Sequence, residues 1–226
     1  MQQNASAVVI GAAGTIGHAL AEALERGGQP VLRLGRNTQP ALDLLDEASI
    51  AAAAEAAGTP LRLVIDATGI LHGPGLTPEK RLSHLDPAQL ARSFAINAIG
   101  PALVMKHFLP RLPRQGRSVF VTLSARVGSI ADNRAGGWYG YRASKAALNQ
   151  LVRTAAVELS RTHPEAICAA LHPGTVATPL SAPFAKAGLD VQAPELAAQR
   201  LLAVIDRLTP EHTGGFFDHH GETVPF

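Results

Sequence analysis

The chain has 226 residues, 46% hydrophobic and 17% charged, enough apolar content for one compact domain with a sizeable core. Its 20 basic and 18 acidic residues leave a formal charge of +2, with no basic run and no aromatic–basic interleaving, which argues against nucleic acid as a partner. The single cysteine, Cys168, excludes an internal disulfide, and Gly, Pro or Asn breaks every long uncharged stretch, so no membrane span and a cytoplasmic location are expected.

Short apolar runs alternate with longer helical patterns, the order of a parallel sheet covered by helices. Strands are expected at Ala7–Ile10, Val31–Leu34, Leu61–Ala67, Ser118–Leu123, Ala166–Leu171 and Gly215–Phe217. Helices are expected at 15–26, 47–57, 87–109, 139–162 and 194–208. No repeat, linker or composition break divides the chain, so residues 1–226 read as one α/β domain, a doubly wound parallel sheet between two helical layers. Cys168 lies in an apolar run and reads as a buried strand thiol. Two irregular stretches, His72–Leu85 and Pro173–Val191, follow strand ends. Ligands in open α/β sheets bind beyond the carboxyl ends of strands, which makes both candidate substrate loops.

Chemistry first enters at Val8-Val9-Ile10-Gly11-Ala12-Ala13-Gly14-Thr15-Ile16-Gly17, a strand, a glycine turn and a helix start. Gly11 permits the tight turn, Gly14 keeps backbone accessible, and Gly17 lets the helix pack closely on the strand. The helix N-terminus then offers free N–H groups and a positive dipole to a pyrophosphate. After the second strand stands Leu34-Gly35-Arg36-Asn37, without the carboxylate that would hold the ribose hydroxyls of NAD. A guanidinium there can grip a 2′-phosphate, so Arg36 favours NADP(H) over NAD(H).

Further on, Tyr141 and Lys145 stand four apart within an expected helix, one turn from each other on the same face. An ammonium so placed can stabilise a phenolate and lower the phenol's pKa toward a value useful for proton transfer. The nine histidines show no ligand spacing with cysteine or carboxylate, and no metal site is expected; His219-His220 reads as a rim or interface element. Trp138, beside the tyrosines, is a candidate border of the substrate site.

Taken in order, the glycine turn, Asp43-Leu44, Asp66-Ala67-Thr68-Gly69, Asn97, Tyr141-x-x-x-Lys145 and Pro173-Gly174-Thr175-Val176 resemble the short-chain dehydrogenase/reductase family over nearly the whole length. Ser124–Ile130, Gly136–Arg142 and the C-terminal Gly215-Phe216-Phe217-Asp218 and Gly221–Phe226 look like the branch containing C-factor and the sniffer-type carbonyl reductases. The resemblance implies a Rossmann-type fold and hydride exchange between a nicotinamide and a carbonyl or alcohol. It also implies homodimerisation through the long helix bearing Tyr141, or, as for C-factor, a nucleotide-binding signalling role with little turnover. Tyr141 would be the general acid or base, Lys145 would hold the nicotinamide ribose, and Asn97 would interrupt its helix and fix a relay water. Asp43 and Leu44 would contact adenine, and Ala67, Thr68 and Gly69 would line the dinucleotide. Pro173, Gly174 and Val176 would cradle the nicotinamide amide, with Thr178 near the phosphates.

Three departures stand against that pattern. The family's serine pair, whose second member polarises the substrate carbonyl, reads Ser124-Ala125 here. Adjacent residues of a strand face opposite sides, so Ser124 is not automatically equivalent; it is the expected substitute, with Ser129 in reserve. Thr15 replaces the usual second glycine of the turn, although Gly14 lies next door. The stretch from Leu34 to Asp43 is too short for a strand–helix–strand crossover, so the usual second helix is expected to be a loop beside an open adenosine pocket.

Overall fold

Residues 7–184 and 190–226 are described by the computed structural model of the protein. Six short strands, β1 (Ala7–Ile10), β2 (Val31–Leu34), β3 (Leu63–Asp66), β4 (Ser118–Leu123), β5 (Ala166–His172) and β8 (Phe216–Asp218), form a parallel sheet in the order β2-β1-β3-β4-β5-β8. β1, β3 and β4 are buried along their whole length, which is why they read as unbroken apolar runs and not as alternating ones. The chain leaves β1 toward β2 on one side and returns to β3 on the other. The resulting switch point lies where Ile10 ends and Ala67 begins.

Six helices cover the two faces. α2 (Glu47–Ala57), α4 (Gly100–Phe108) and α5 (Tyr139–Leu159) press Ile50, Phe108, Leu148 and Val152 onto Phe120, Cys168 and Phe216. α1 (Thr15–Arg26) and α6 (Pro194–Arg207) press Leu20, Leu24, Leu201 and Ile205 onto Val9, Ile65, Val121 and Leu171. α3 (Pro87–Phe94) joins α4 through a π-helical turn, Ala95–Ile99. Local signals set the starts: Asp46 accepts from the Ala48 N–H, Asp86 accepts from the Gln89 N–H ahead of Pro87, and Pro194 opens α6. Burial pushes the Cys168 thiol up to about 12, and it acts as packing.

Element bounds differ from expectation in instructive places. β3 starts at Leu63, because the Leu61 N–H is taken by the Arg111 carbonyl, and it ends at Asp66, whose carboxylate turns the chain by accepting from the Thr68 N–H. The last strand is shifted by one residue, and α5 ends at Leu159, three residues short of the expected span. Between β2 and α2 the chain forms no helix; a lone parallel bridge, Gly35 to Ala41, stands where a crossover was ruled out by length.

A small parallel pair, β6 (Thr175–Val176) with β7 (Val191–Gln192), went unforeseen. It ties together the two ends of the second irregular stretch, of which 185–189 lie outside the described residues. After β8 the tail folds back: Phe217 bridges Thr223, Val224 N–H donates to the Phe216 carbonyl, and Ala131 N–H donates to the Phe226 carbonyl.

Candidate active site

Two cavities open at the carboxyl ends of the strands. The first, of about 390 Å³, runs over the switch point and gathers Gly11, Gly14, Arg36, Asp43, Leu44, Ala67, Thr68 and Gly69. Gly11 has φ +78°, and a Cβ there would stand 3.1 Å from the Ala67 backbone. A Cβ on Gly17 would meet the Gly11 carbonyl oxygen at 2.3 Å, so only glycine lets α1 sit this close to the turn. α1 has no side-chain N-cap and no acid in its first turn. Thr15 and Gly17 line neither of the two cavities; they follow the turn at the start of α1, and Ile16 reaches the second cavity. This cradle, open at a helix N-terminus with exposed Arg36 at its far end, fits a dinucleotide phosphate backbone. Leu42, Leu45, Arg92 and Ile96 also line it. They went unforeseen because the motifs single out only Asp43-Leu44 and Asn97 beside them.

The second cavity, of about 300 Å³, is lined by Ser124, Ala125, Tyr141, Pro173, Gly174, Val176 and Thr178, together with Trp138, His172 and Phe184. Trp138 caps α5 in a left-handed conformation, φ +51°, and its indole packs edge-on to Tyr141 and Phe184 at 6.3 and 5.0 Å. Phe184 in turn meets His72 at 5.5 Å, and the His72 imidazole hydrogen-bonds the Pro179 carbonyl at 3.1 Å. The two irregular stretches therefore touch each other beside Tyr141.

Lys145 and Asn97 lie beneath the floor between the cavities. Both are buried, at 2% and 0% exposure, so Lys145 is no surface lysine. A Cβ on Gly69 would stand 3.2 Å from Lys145 Nζ and 3.5 Å from Asn97 Oδ1, which places both groups directly under the dinucleotide cavity. Asn97 sits within the π-helical turn, so it does interrupt its helix. Its amide accepts from the Ile70 N–H and donates to the Ile70 carbonyl, both at 2.8 Å, and donates to Ser144 Oγ at 3.2 Å. The partner that a buried asparagine requires is thus Ile70, next to Gly69.

The electrostatics correct one expectation. Lys145 Nζ donates to the Leu123 carbonyl at 2.8 Å rather than to the phenol. Burial lowers Lys145 to about 8, with Asp66 acting in the opposite sense. Burial alone raises Tyr141, to about 12, so the phenol is not acidified in this arrangement. Asp66 anchors the floor, its carboxylate taking the Thr68 and Thr122 hydroxyls at 2.6 and 2.8 Å.

Ser124 reaches the second cavity, but its hydroxyl donates to Asn149 Oδ1 on α5 at 2.7 Å. Ser129 accepts from the Asp132 N–H and lines a separate depression away from Tyr141. Ala125 faces the cavity with no polar group to offer.

A doubly wound parallel sheet with a glycine cradle at its switch point, a tyrosine in the wall of the next cavity and a buried lysine beneath the floor between them defines a dinucleotide-dependent α/β enzyme class. The family profile described as short chain dehydrogenase matches residues 5–188, and the chain belongs to that family of nicotinamide-dependent oxidoreductases. It is 42% identical over 146 residues to the C-signal protein of Myxococcus xanthus, covering 64% of this chain and 83% of that one. It is 33% identical to 1-hydroxy-2-glutathionyl-2-methyl-3-butene dehydrogenase of Rhodococcus sp. (strain AD45), covering 96% of both chains. Its fold superposes on the NADPH-bound carbonyl reductase from chicken fatty liver with a TM-score of 0.85 at 24% identity, over 99% of this chain and 100% of that one. The carbonyl reductase Sniffer of D. melanogaster gives the same TM-score and coverage at 21% identity. Among the described residues no helix is long and apolar enough to cross a membrane.

Proposed function

We propose that the protein is an NADP-preferring oxidoreductase acting on a carbonyl or alcohol with apolar substituents. The observation that carries this reading is the position of Tyr141 in the wall of a cavity walled by Trp138, Phe184, Leu71, Val176 and Leu180, directly beyond the glycine cradle.

Gly11, Gly14, Thr15, Ile16 and Gly17 receive the pyrophosphate at the α1 N-terminus. Arg36 takes the 2′-phosphate, Asp43 and Leu44 flank adenine, and Ala67, Thr68 and Gly69 line the path between. Pro173, Gly174, Val176 and Thr178 hold the nicotinamide end. When bound, the nicotinamide supplies the hydride that adds to the carbonyl carbon, losing two electrons itself. The carbonyl π pair moves onto oxygen, which takes the Tyr141 phenolic proton; the reverse direction returns it. Lys145 holds the ribose hydroxyls and its charge stabilises the phenolate that Tyr141 leaves behind. Asn97 keeps Ile70 and Gly69 in place above Lys145 and supports proton return. Ser124 braces α5 through Asn149 at the edge of the same cavity.

The exposed groove between α4 and α5, lined by Ala102, Met105, Leu151 and Ala155, takes a second copy of the chain in a homodimer. A second reading, a nucleotide-dependent signalling protein with little turnover, draws on Ala125 and on the similarity to the C-signal protein.

Titration with NADPH and NADH, followed by nucleotide fluorescence, tests the cofactor assignment, and a carbonyl panel with NADPH then tests turnover. Tyr141→Phe should abolish reduction and leave NADPH binding intact. Nucleotide binding without turnover on any carbonyl would favour the signalling reading, and binding of neither nucleotide would remove both.

A further inference from the structure

Ala125 leaves the substrate pocket without the hydroxyl that polarises a carbonyl in this family, and Ser124 spends its proton on Asn149. A carbonyl oxygen gaining negative charge needs a donor besides Tyr141, in a site dry enough for that donor to count. Arg126, Trp138, Thr175, Thr178, Ser181 and His172 are the other polar side chains along this cavity; Arg126 is ion-paired to Asp132, Thr178 and Ser181 bond each other, and His172 stands on the neighbouring strand beside Ser124-Ala125. β4 and β5 run in register with Leu123 opposite Leu171, and the Ser124 N–H donates to the Leu171 carbonyl at 2.8 Å. His172 therefore emerges from β5 next to Ser124-Ala125 and lines the same cavity as Tyr141.

We propose that His172, as a neutral imidazole, donates the hydrogen bond that polarises the substrate carbonyl, in place of the missing serine. This rests on the oxidoreductase reading above and extends it to the residue that replaces a lost catalytic group.

The tautomer follows from burial. His172 Nδ1 is buried and has no hydrogen-bond partner. An orphaned buried N–H is rarer and more costly than an under-satisfied acceptor, so the proton belongs on Nε2 and Nδ1 keeps the lone pair. Nε2–H is then the nitrogen available to a ligand in the cavity.

The charge state follows from what surrounds the ring. Arg126 lies along the cavity, ion-paired to Asp132 at 2.5 Å, and His219 packs edge-on at 6.3 Å. Asp218 stands opposite His172 in the β5–β8 register, its carboxylate already accepting from the His220 and Glu222 N–H groups. Burial holds His172 down at about 4, with His219 and Arg126 acting in the same sense and Asp218 opposing them. The imidazole is thus a neutral donor throughout the physiological range, one that polarises oxygen without competing with Tyr141 for the proton transfer. Among the described residues no three ligating side chains converge on a metal position, so His172, His219 and Asp218 do not form a metal site.

The experiment compares His172→Leu, His172→Gln, Ser124→Ala and the double variant Ala125→Ser/His172→Leu, using NADPH and a carbonyl that the wild type reduces. His172→Leu should lose about 100- to 1,000-fold in kcat, the usual effect of removing one such donor, with NADPH affinity unchanged by fluorescence. His172→Gln, which keeps a donor, should retain most of that activity, and adding Ala125→Ser to His172→Leu should restore at least a tenth of the wild-type rate. Ser124→Ala, which loosens α5 at the edge of the cavity, should lose less in kcat than His172→Leu. In the free protein, nitrogen–proton correlation spectra should place the His172 proton on Nε2 at neutral pH. A wild-type rate in His172→Leu, a collapse in Ser124→Ala alone, or a proton on Nδ1 would overturn the inference while leaving the oxidoreductase reading standing. A wild type that reduces no carbonyl would sink that reading and this inference together.

Discussion

Glu79 holds Trp138 by a 2.5 Å hydrogen bond from the Trp138 N–H to the Glu79 carbonyl, and its carboxylate accepts from the Gly140 N–H at 3.1 Å. With 5% of its surface exposed, Glu79 supplies the N-cap that α5 lacks in its own sequence, and it does so one turn from Tyr141. Trp138 can keep its left-handed backbone because the Glu79 segment pins it. Glu79→Ala should cost about 1–2 kcal/mol, the usual effect of losing a cap. That corresponds to a Tm lower by roughly 2–8 °C for a chain of this size. Thermal unfolding of the variant beside Glu79→Gln, which keeps an acceptor and should lose less, checks this.

Lys145 is costly to bury, and removing it should trade activity for stability. Its folded value of about 8 lies below the ordinary 10.5, so between those two pH values the unfolded chain binds a proton that the folded chain does not. Stability from this group therefore rises as pH climbs from 8 to 10.5 and is at its lowest below 8. Lys145→Met should be more stable than wild type at pH 7 by about 1–3 kcal/mol, with no reductase activity. The gap should close by pH 10.5. Denaturant midpoints measured for both proteins at each pH cancel the opposite contribution of Tyr141, raised to about 12.

Arg36 is exposed and lines the first cavity together with Asp43. Removing its charge should act on the 2′-phosphate alone. Arg36→Leu is expected to weaken NADPH about 10- to 100-fold, the loss of a charge-assisted hydrogen bond or two. NADH should change by less than threefold. Fluorescence titration with each nucleotide reads both, and equal losses would place the guanidinium's role in the fold.

Leu151 lines the α4–α5 groove and is 36% exposed, and Val157, on the same helix, is 46% exposed. If this face joins two chains, Leu151→Glu should convert a dimer to a monomer by light scattering and leave thermal stability within about 0.5 kcal/mol at low concentration, as for a surface substitution. A wild type that is already monomeric would remove the interface.

The parallel sheet and both helical layers were legible because parallel strands are buried on both faces and so carry their signature in composition; the order β2-β1-β3-β4-β5-β8 came only with the structure. The glycine turn, Arg36 and Tyr141–Lys145 were legible because each spacing states a geometric need. His172 was not. A histidine at a strand end reads the same whether it packs, ligates or donates, and only the unpaired buried Nδ1 and the shared cavity single it out for the role proposed above. The position of the Lys145 ammonium was beyond the sequence for a similar reason. Helical spacing places Lys145 one turn from Tyr141, but the rotamer that carries its ammonium to the Leu123 carbonyl is set by tertiary packing. Ser124 shows the same limit: the sequence places it at the end of a strand, whereas its partner Asn149 lies on a helix 25 residues further along.

The tail that folds back after β8 does two jobs with one piece of chain. Its antiparallel contacts, Thr223 opposite Phe217 and Val224 on Phe216, occupy the open side of the last strand, where a foreign strand would otherwise add. The same tail ends with the Phe226 carbonyl on the Ala131 N–H and its ring stacked on Phe216 at 6.4 Å, steadying the loop that leads to Trp138 and Tyr141. An intruding strand has to peel this tail away to reach the sheet and would unfasten the catalytic loop in doing so. The tail thus couples protection of the sheet edge to the position of the loop that carries Trp138.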